Sequence, residues 1–123
     1  MLGNCQLAAF VATADPEKAR EFYESTLGLE LISDEEYAIV FNANGTTLRI
    51  QKSAPFTPHP FTSLGWHVPD MEAMMSELRS KGVVFEQYPW MPADSDGVMT
   101  FPSGAKVAWL KDPDGNLLSL DQY

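Results

Sequence analysis

Two stretches of the chain repeat one pattern of apolar and polar positions. "FVATADPEKAREFYESTLGL" (10–29) and "GWHVPDMEAMMSELRSKGV" (65–83) each run from a short apolar strand to an Asp, an amphipathic helix and a Gly-hydrophobic exit. Asp15 and Asp70 stand where an N-cap carboxylate accepts hydrogen bonds from the first, otherwise unpaired amides of a helix. Pro16 follows at the first helical position, where its missing N–H costs nothing. Ala19, Phe22, Tyr23 and Leu27 form one stripe at helical spacing, and Met71, Met74, Met75 and Leu78 form the other. Gly28 and Gly82 are natural stops.

The pattern then changes from helical to alternating. "YAIVFNANGTTLRIQ" (37–51) aligns without gaps to "VAWLKDPDGNLLSLD" (107–121), each reading as strand, tight turn, strand. Asn44-Gly45 and Asp114-Gly115 supply positive-φ turn chemistry. Between the copies, "SAPFTPHPFT" (53–62) carries Pro55, Pro58 and Pro60 and reads as an extended linker. Each half is thus a strand, a helix and about three strands. Neither half is expected to bury its own sheet face, so the two should pack into one domain over 1–123, with module 1 at about 4–52 and module 2 at about 63–123.

Composition narrows the class without naming a function. A chain of 123 residues, 45% hydrophobic and 20% charged, has the make-up of a globular protein with one real core. No apolar run approaches the roughly 20 residues of a membrane helix. The opening "MLGNCQ" lacks the pattern of a secretory signal, and a lone Cys5 forms no internal disulfide, so a cytoplasmic location is expected. The formal charge of −9 repels nucleic acid phosphates. It favours cationic ligands, or serves solubility alone.

The runs "VATADPEKAREFYESTLGLEL" and "KDPDGNLLSL", with the repeat plan across the whole chain, resemble the vicinal oxygen chelate superfamily. That superfamily includes glyoxalase I, bleomycin-resistance proteins and extradiol dioxygenases. The resemblance implies an α+β fold in which two βαβββ modules form a cup-shaped mixed sheet, helices outside. It also implies a homodimer. Enzymatic members hold a divalent metal in the cup. Two ligands come from the first strands, seven residues before the capping Asp, and two from the strands after the hairpin turns.

Carried over residue by residue, those four metal slots fall on Ala8, Arg49, Ser63 and Ser119. A divalent cation needs carboxylate, imidazole or thiolate donors. Alanine offers none, serine hydroxyls are poor ligands, and Arg49 places a fixed positive charge in the slot. No cofactor is therefore expected. The alternative is a displaced divalent metal on His67 with Asp121 or another carboxylate. His59, the other histidine, lies in the linker and should be solvent-exposed.

Strand parity extends the set. If the slots face inward, so do Phe10, Ala12, Thr47, Gln51, Gly65, His67, Leu117 and Asp121. Leu7, Val11, Leu48, Ile50, Leu64, Trp66, Leu118 and Leu120 then back onto the helices, and Trp109 is expected in the core. The candidate ligand-binding residues are Phe10, Thr47, Arg49, Gln51, Ser63, His67, Trp90, Ser119 and Asp121. Arg49 suits a carboxylate or phosphate, or it pairs with Asp121 or another acid. His67 is the candidate catalytic group, able to move a proton near neutral pH, or it is an ordinary satisfied polar side chain. In the irregular segment 87–97, Tyr88, Trp90 and Met91 either lid the cup, cover a partner or pack on their own domain. "NANGTT" is a hairpin turn rather than a phosphate loop. Cys5 has no partner His at recognisable spacing.

The expected function is a small-molecule-binding member lacking the usual metal ligands, similar to the bleomycin-resistance branch. The alternative is a glyoxalase-like lyase or isomerase, or a dioxygenase, with a displaced metal or metal-free acid/base chemistry at His67. A third reading is an accessory dimerisation module with no ligand.

Overall fold

The computed structural model describes residues 1–91 and 93–123, and divides into two compact units, Met1–Pro58 and His59–Tyr123. The first holds β1 (Ala8–Thr13), α1 (Pro16–Glu21), β2 (Glu30–Asp34), β3 (Ala38–Ala43) and β4 (Thr46–Lys52). The second holds β5 (Thr62–His67), α2 (Met71–Ser80), β6 (Met99–Thr100), β7 (Lys106–Lys111) and β8 (Leu117–Gln122). Their four-stranded sheets run β1-β4-β3-β2 and β5-β8-β7-β6. In each, the first strand lies parallel to the last and the remaining pairs are antiparallel. Both units are therefore βαβββ, with mixed sheets, in an α+β fold.

The capping residues act as their position predicts. Asp15 accepts from the Lys18 amide at 3.3 Å and Asp70 from the Ala73 amide at 3.1 Å. After Glu21 the first helix widens into a π-helical turn over Phe22–Thr26, closed by the Leu27 amide on the Phe22 carbonyl. Ala19 and Tyr23 are fully buried, with the Tyr23 ring 6.1 Å from that of Phe41. Phe22 and Leu27 are only partly buried. On α2, Met71, Met75 and Leu78 are buried, so the methionine stripe is core.

Alternation along the strands puts Val11, Leu48 and Ile50 in the first core and Leu118 and Leu120 in the second. Three expectations are corrected. Leu7 precedes β1 and is 76% exposed. Leu64 and Trp66 keep partial exposure. Thr62 opens β5, so the linker ends one residue earlier.

The two hairpins differ where the sequence makes them look alike. Asn44 (φ 50°) and Gly45 (φ 95°) form a two-residue turn between the paired Ala43 and Thr46. In the second hairpin the last ladder pair is Lys111 with Leu117, and of its turn residues only Gly115 has positive φ. The buried Asp112 organises this longer turn. Its carboxylate accepts from the Asp114 and Asn116 amides, both at 2.9 Å, and from Asn116 Nδ2 at 2.8 Å. The extra length shifts β7 by one residue relative to the repeat. Val40 pairs with Arg49, but Trp109, rather than Leu110, pairs with Ser119. A one-residue slip moves every side chain to the opposite face. Trp109 therefore leaves the core, and Ala108 and Leu110 fill it instead.

Candidate functional site

In the first unit, strand pairing brings Ala8, Phe10 and Ala12 onto one sheet face with Thr47, Arg49 and Gln51. Val40 and Ala38 continue that face on β3. Phe10 is 57% exposed there, an aromatic side chain left open on a sheet surface. The Arg49 guanidinium finds its acidic partner within its own unit, Glu35 at 4.0 Å. Glu35 is exposed, Arg49 is half-buried and the contact is long, so this pair contributes little. Beside it, the hydrogen bond from Lys52 to Asp34, with help from Arg20, holds the Asp34 carboxyl below the usual aspartate range.

In the second unit, Gly65, Ser119 and Trp109 form one row across β5, β8 and β7, and His67, Asp121 and Val107 form the next. The row beyond Gly65 departs from simple alternation. The β5–β8 register shifts between Thr62 and Leu64, so Thr62 pairs with Leu117 and Ser63 is the extra residue of a bulge. Counting in twos from His67 therefore mislocates the slot assigned to Ser63. Thr62 takes its place in the ladder.

Trp109 gives this face its character. Its indole N–H donates to Thr62 Oγ1 at 3.1 Å. β5 and β7 flank β8 and lie two strand spacings apart, roughly 10 Å. An indole rooted on β7 that bonds a β5 hydroxyl must cross β8 at Leu117 and Ser119. Those two residues are correspondingly only 9% exposed, whereas Trp109 itself stays partly exposed. On the β5 side, Ser119 Oγ occupies the space above Gly65, where an added Cβ would meet it at 2.6 Å. The glycine leaves room for the hydroxyl.

His67 and Asp121 form a pair through Nδ1 and Oδ1, with the Tyr123 ring 5.2 Å from the imidazole. His67 is largely exposed, at 75% of its side chain, and Asp121 mostly covered, at 18%. A carboxylate on Nδ1 fixes the proton there and leaves Nε2 of the neutral ring as an acceptor. His67 is thus a satisfied polar group with one open nitrogen. Trp90 stands apart from this face in sequence. It is 77% exposed and stacks on Tyr88 at 5.6 Å, while Met91 is buried. Within the segment 87–97, Pro92 lies outside the described residues. His59 is exposed, as its linker position predicts, and stacks on Phe61.

The slots implied for a divalent metal do not fit one. Ala8 has no donor, Arg49 is a cation facing Glu35, Ser63 sits in a bulge, and Ser119 lies between Gly65 and the Trp109 indole in its row. Among the described residues, no group of three or more His, Cys, Asp or Glu side chains is placed to hold a metal ion. His67 with Asp121 supplies two donors, and the imidazole nitrogen nearest the carboxylate is already committed to it.

The family model for the Glyoxalase/Bleomycin resistance protein/Dioxygenase superfamily matches residues 6–120. The chain belongs to this superfamily. A search of curated proteins gave no significant match. Solved structures share the superfamily's fold at low identity. A glyoxalase/bleomycin resistance protein/dioxygenase from Alicyclobacillus acidocaldarius matches at TM-score 0.74 and 20% identity, covering 98% of this chain and 92% of the other. A lactoylglutathione lyase from Agrobacterium tumefaciens matches at TM-score 0.74 and 13% identity, covering 97% and 93%. TnmS3, an antibiotic binding protein from a Streptomyces species, matches at TM-score 0.69 and 23% identity, covering 97% of each chain.

Within this superfamily member, sequence reasoning missed Trp109 and Thr62 as partners, and missed why Gly65 is a glycine. One signal was present. The carboxylate-rich "DPDGN" satisfies its own backbone and needs more residues than "NANG" does, so a gap-free alignment of the hairpins was unsafe.

Proposed function

We propose that this superfamily member binds a small organic molecule without a metal ion. The observation that carries the reading is the donor chemistry of the slots Ala8, Arg49, Ser63 and Ser119, with an indole crossing the strand that bears Ser119. The first unit's face offers an open Phe10 ring and a guanidinium, and the second unit's face an indole, hydroxyls and one imidazole, and each mixture by itself suits an organic ligand. The antibiotic-binding description of TnmS3 supports the same class, and sequestration of an antibiotic is the form we favour. Thermal shift and calorimetry with cationic glycopeptides, small acids and thiol conjugates test it, because a ligand of the native state raises its stability. Stoichiometric Zn²⁺, Ni²⁺, Fe²⁺ or Mn²⁺ in purified protein, lost in His67→Ala, would contradict it.

A second reading rests on the His67–Asp121 pair. An exposed imidazole oriented by a carboxylate is the arrangement of a general base, and a metal-free lyase or isomerase would use Nε2 in that role. Turnover of a glyoxalase-type substrate, abolished in His67→Gln at unchanged stability, would establish it. A homodimer is proposed from the family resemblance, and light scattering tests it.

A further inference from the structure

We infer that the Trp109 indole is the stacking platform of the ligand site, and that the ligand is a flat aromatic compound with a hydrogen-bond donor on its edge. This rests on the small-molecule reading above and names the ligand class. Three observations carry it. The indole spans β8 and is pinned at its far end by Thr62, so its ring is held in place before any ligand arrives. A pre-placed aromatic face favours offset stacking with another flat ring and orders no flexible side chain on binding. Trp109 also retains partial exposure, whereas Leu117 and Ser119 are themselves buried.

The third observation sets the edge chemistry. His67 and Asp121 occupy the next row of the same face, one pleat repeat along β8 from Ser119. With Nδ1 turned to Asp121, Nε2 of the neutral ring is left to accept a hydrogen bond. A hydroxyl or amino group on the ring's edge satisfies it. A bare hydrocarbon or an ether leaves it to water. No bond is made or broken in this event, and no metal takes part.

Three probes on one skeleton separate the elements of the proposal: 1-naphthol, 1-methoxynaphthalene and decahydro-1-naphthol. Binding is followed by calorimetry and by the Trp109 indole resonance in an ¹⁵N-¹H spectrum, assigned with Trp109→Phe. The expected result is that 1-naphthol binds and moves that resonance. Removing the donor should weaken binding about fivefold, and decahydro-1-naphthol should not bind. Trp109→Ala should weaken 1-naphthol about tenfold or more, with Trp109→Phe retaining most of the affinity. Thr62→Val keeps the ring but frees it, and should weaken binding a few-fold, about threefold; it guards against a Trp109→Ala protein that fails to fold. Equal binding of 1-naphthol to wild type and Trp109→Ala would overturn the platform while leaving the small-molecule reading intact. Binding of the saturated alcohol as tightly as 1-naphthol would do the same. Failure of every small molecule to bind wild type would overturn both.

Discussion

Arg49 and Ser119 occupy matching places in the two hairpins, yet their surroundings share almost nothing. Arg49 pairs across to Phe10 on β1 and Val40 on β3, and its charge is met by Glu35 at the surface. Ser119 pairs with Gly65 and Trp109 and is buried. Two physical differences account for this. A longer turn moves a tryptophan onto the Ser119 face, and a glycine replaces the aromatic ring that stands beside Arg49. A duplicated backbone plan therefore does not carry duplicated side-chain environments, because a longer turn that shifts the register by one residue reverses strand parity.

The turn offers the largest test of that contrast. Asp112→Ala strips three acceptor contacts from a buried turn and leaves amides unpaired, which should cost about 3 kcal/mol in urea denaturation. A turn change in the first hairpin, Asn44→Ala, leaves the hydrogen bond from the Gly45 amide to Asn42 Oδ1 in place, loses the tolerance of a side chain for φ 50° and should cost about 1 kcal/mol. Equal losses would break the claim that the second turn is built differently.

A smaller effect sharpens the contrast at the paired positions. Gly65→Ala drives a methyl into Ser119 Oγ and should destabilise by about 1–2 kcal/mol. Ser119→Ala should relieve part of that cost in the double mutant, giving a favourable coupling of about 0.5–1 kcal/mol in a double-mutant cycle. Phe10→Ala, at the equivalent place in the first unit, removes an exposed ring and should change stability by less than about 1 kcal/mol. Strict additivity of Gly65→Ala and Ser119→Ala would show that the hydroxyl does not occupy the glycine's space.

The smallest effect lies in the charge network of the first unit. Lys52, then Arg20, hold the folded-state pKa of Asp34 below its unfolded value. A depressed carboxylate contributes stability that is fully present above the unfolded pKa of about 4 and disappears as pH falls through the folded value. Asp34→Asn should therefore lower stability slightly at pH 7, by roughly 0.5 kcal/mol for so exposed a group, and converge with wild type once pH falls below the folded value. A difference that persists undiminished at low pH would point to packing instead.

Most of the fold was legible because its signals are local. Asp15 and Asp70 announce helix starts, the stripes holding Ala19 and Tyr23 and then Met71, Met75 and Leu78 announce buried faces, although Phe22 and Leu27 of the first are only partly buried, and Asn44-Gly45 announces a two-residue turn. The candidate site was legible only in part. Phe10, Thr47, Arg49 and Gln51 do share a face, as do Ser119, Asp121 and His67, because alternation holds along uninterrupted strands. The count fails at Ser63, where a bulge adds a residue, and at Trp109, where turn length sets the register. The first is decided by backbone pairing between strands distant in sequence and the second by the turn that joins neighbouring strands, and neither residue's own chemistry reveals it. The π-helical turn after Glu21 also escapes a 3.6-residue count, because its closing hydrogen bond spans five residues.

The most direct test is where the Trp109 indole lies. A nuclear Overhauser spectrum of the protein without ligand should show contacts from its Nε1 proton to the Thr62 side chain, with slow exchange of that proton as expected for the 3.1 Å hydrogen bond. Absence of those contacts, with contacts to the α2 methionines in their place, would return Trp109 to the core and contradict the aromatic face described here.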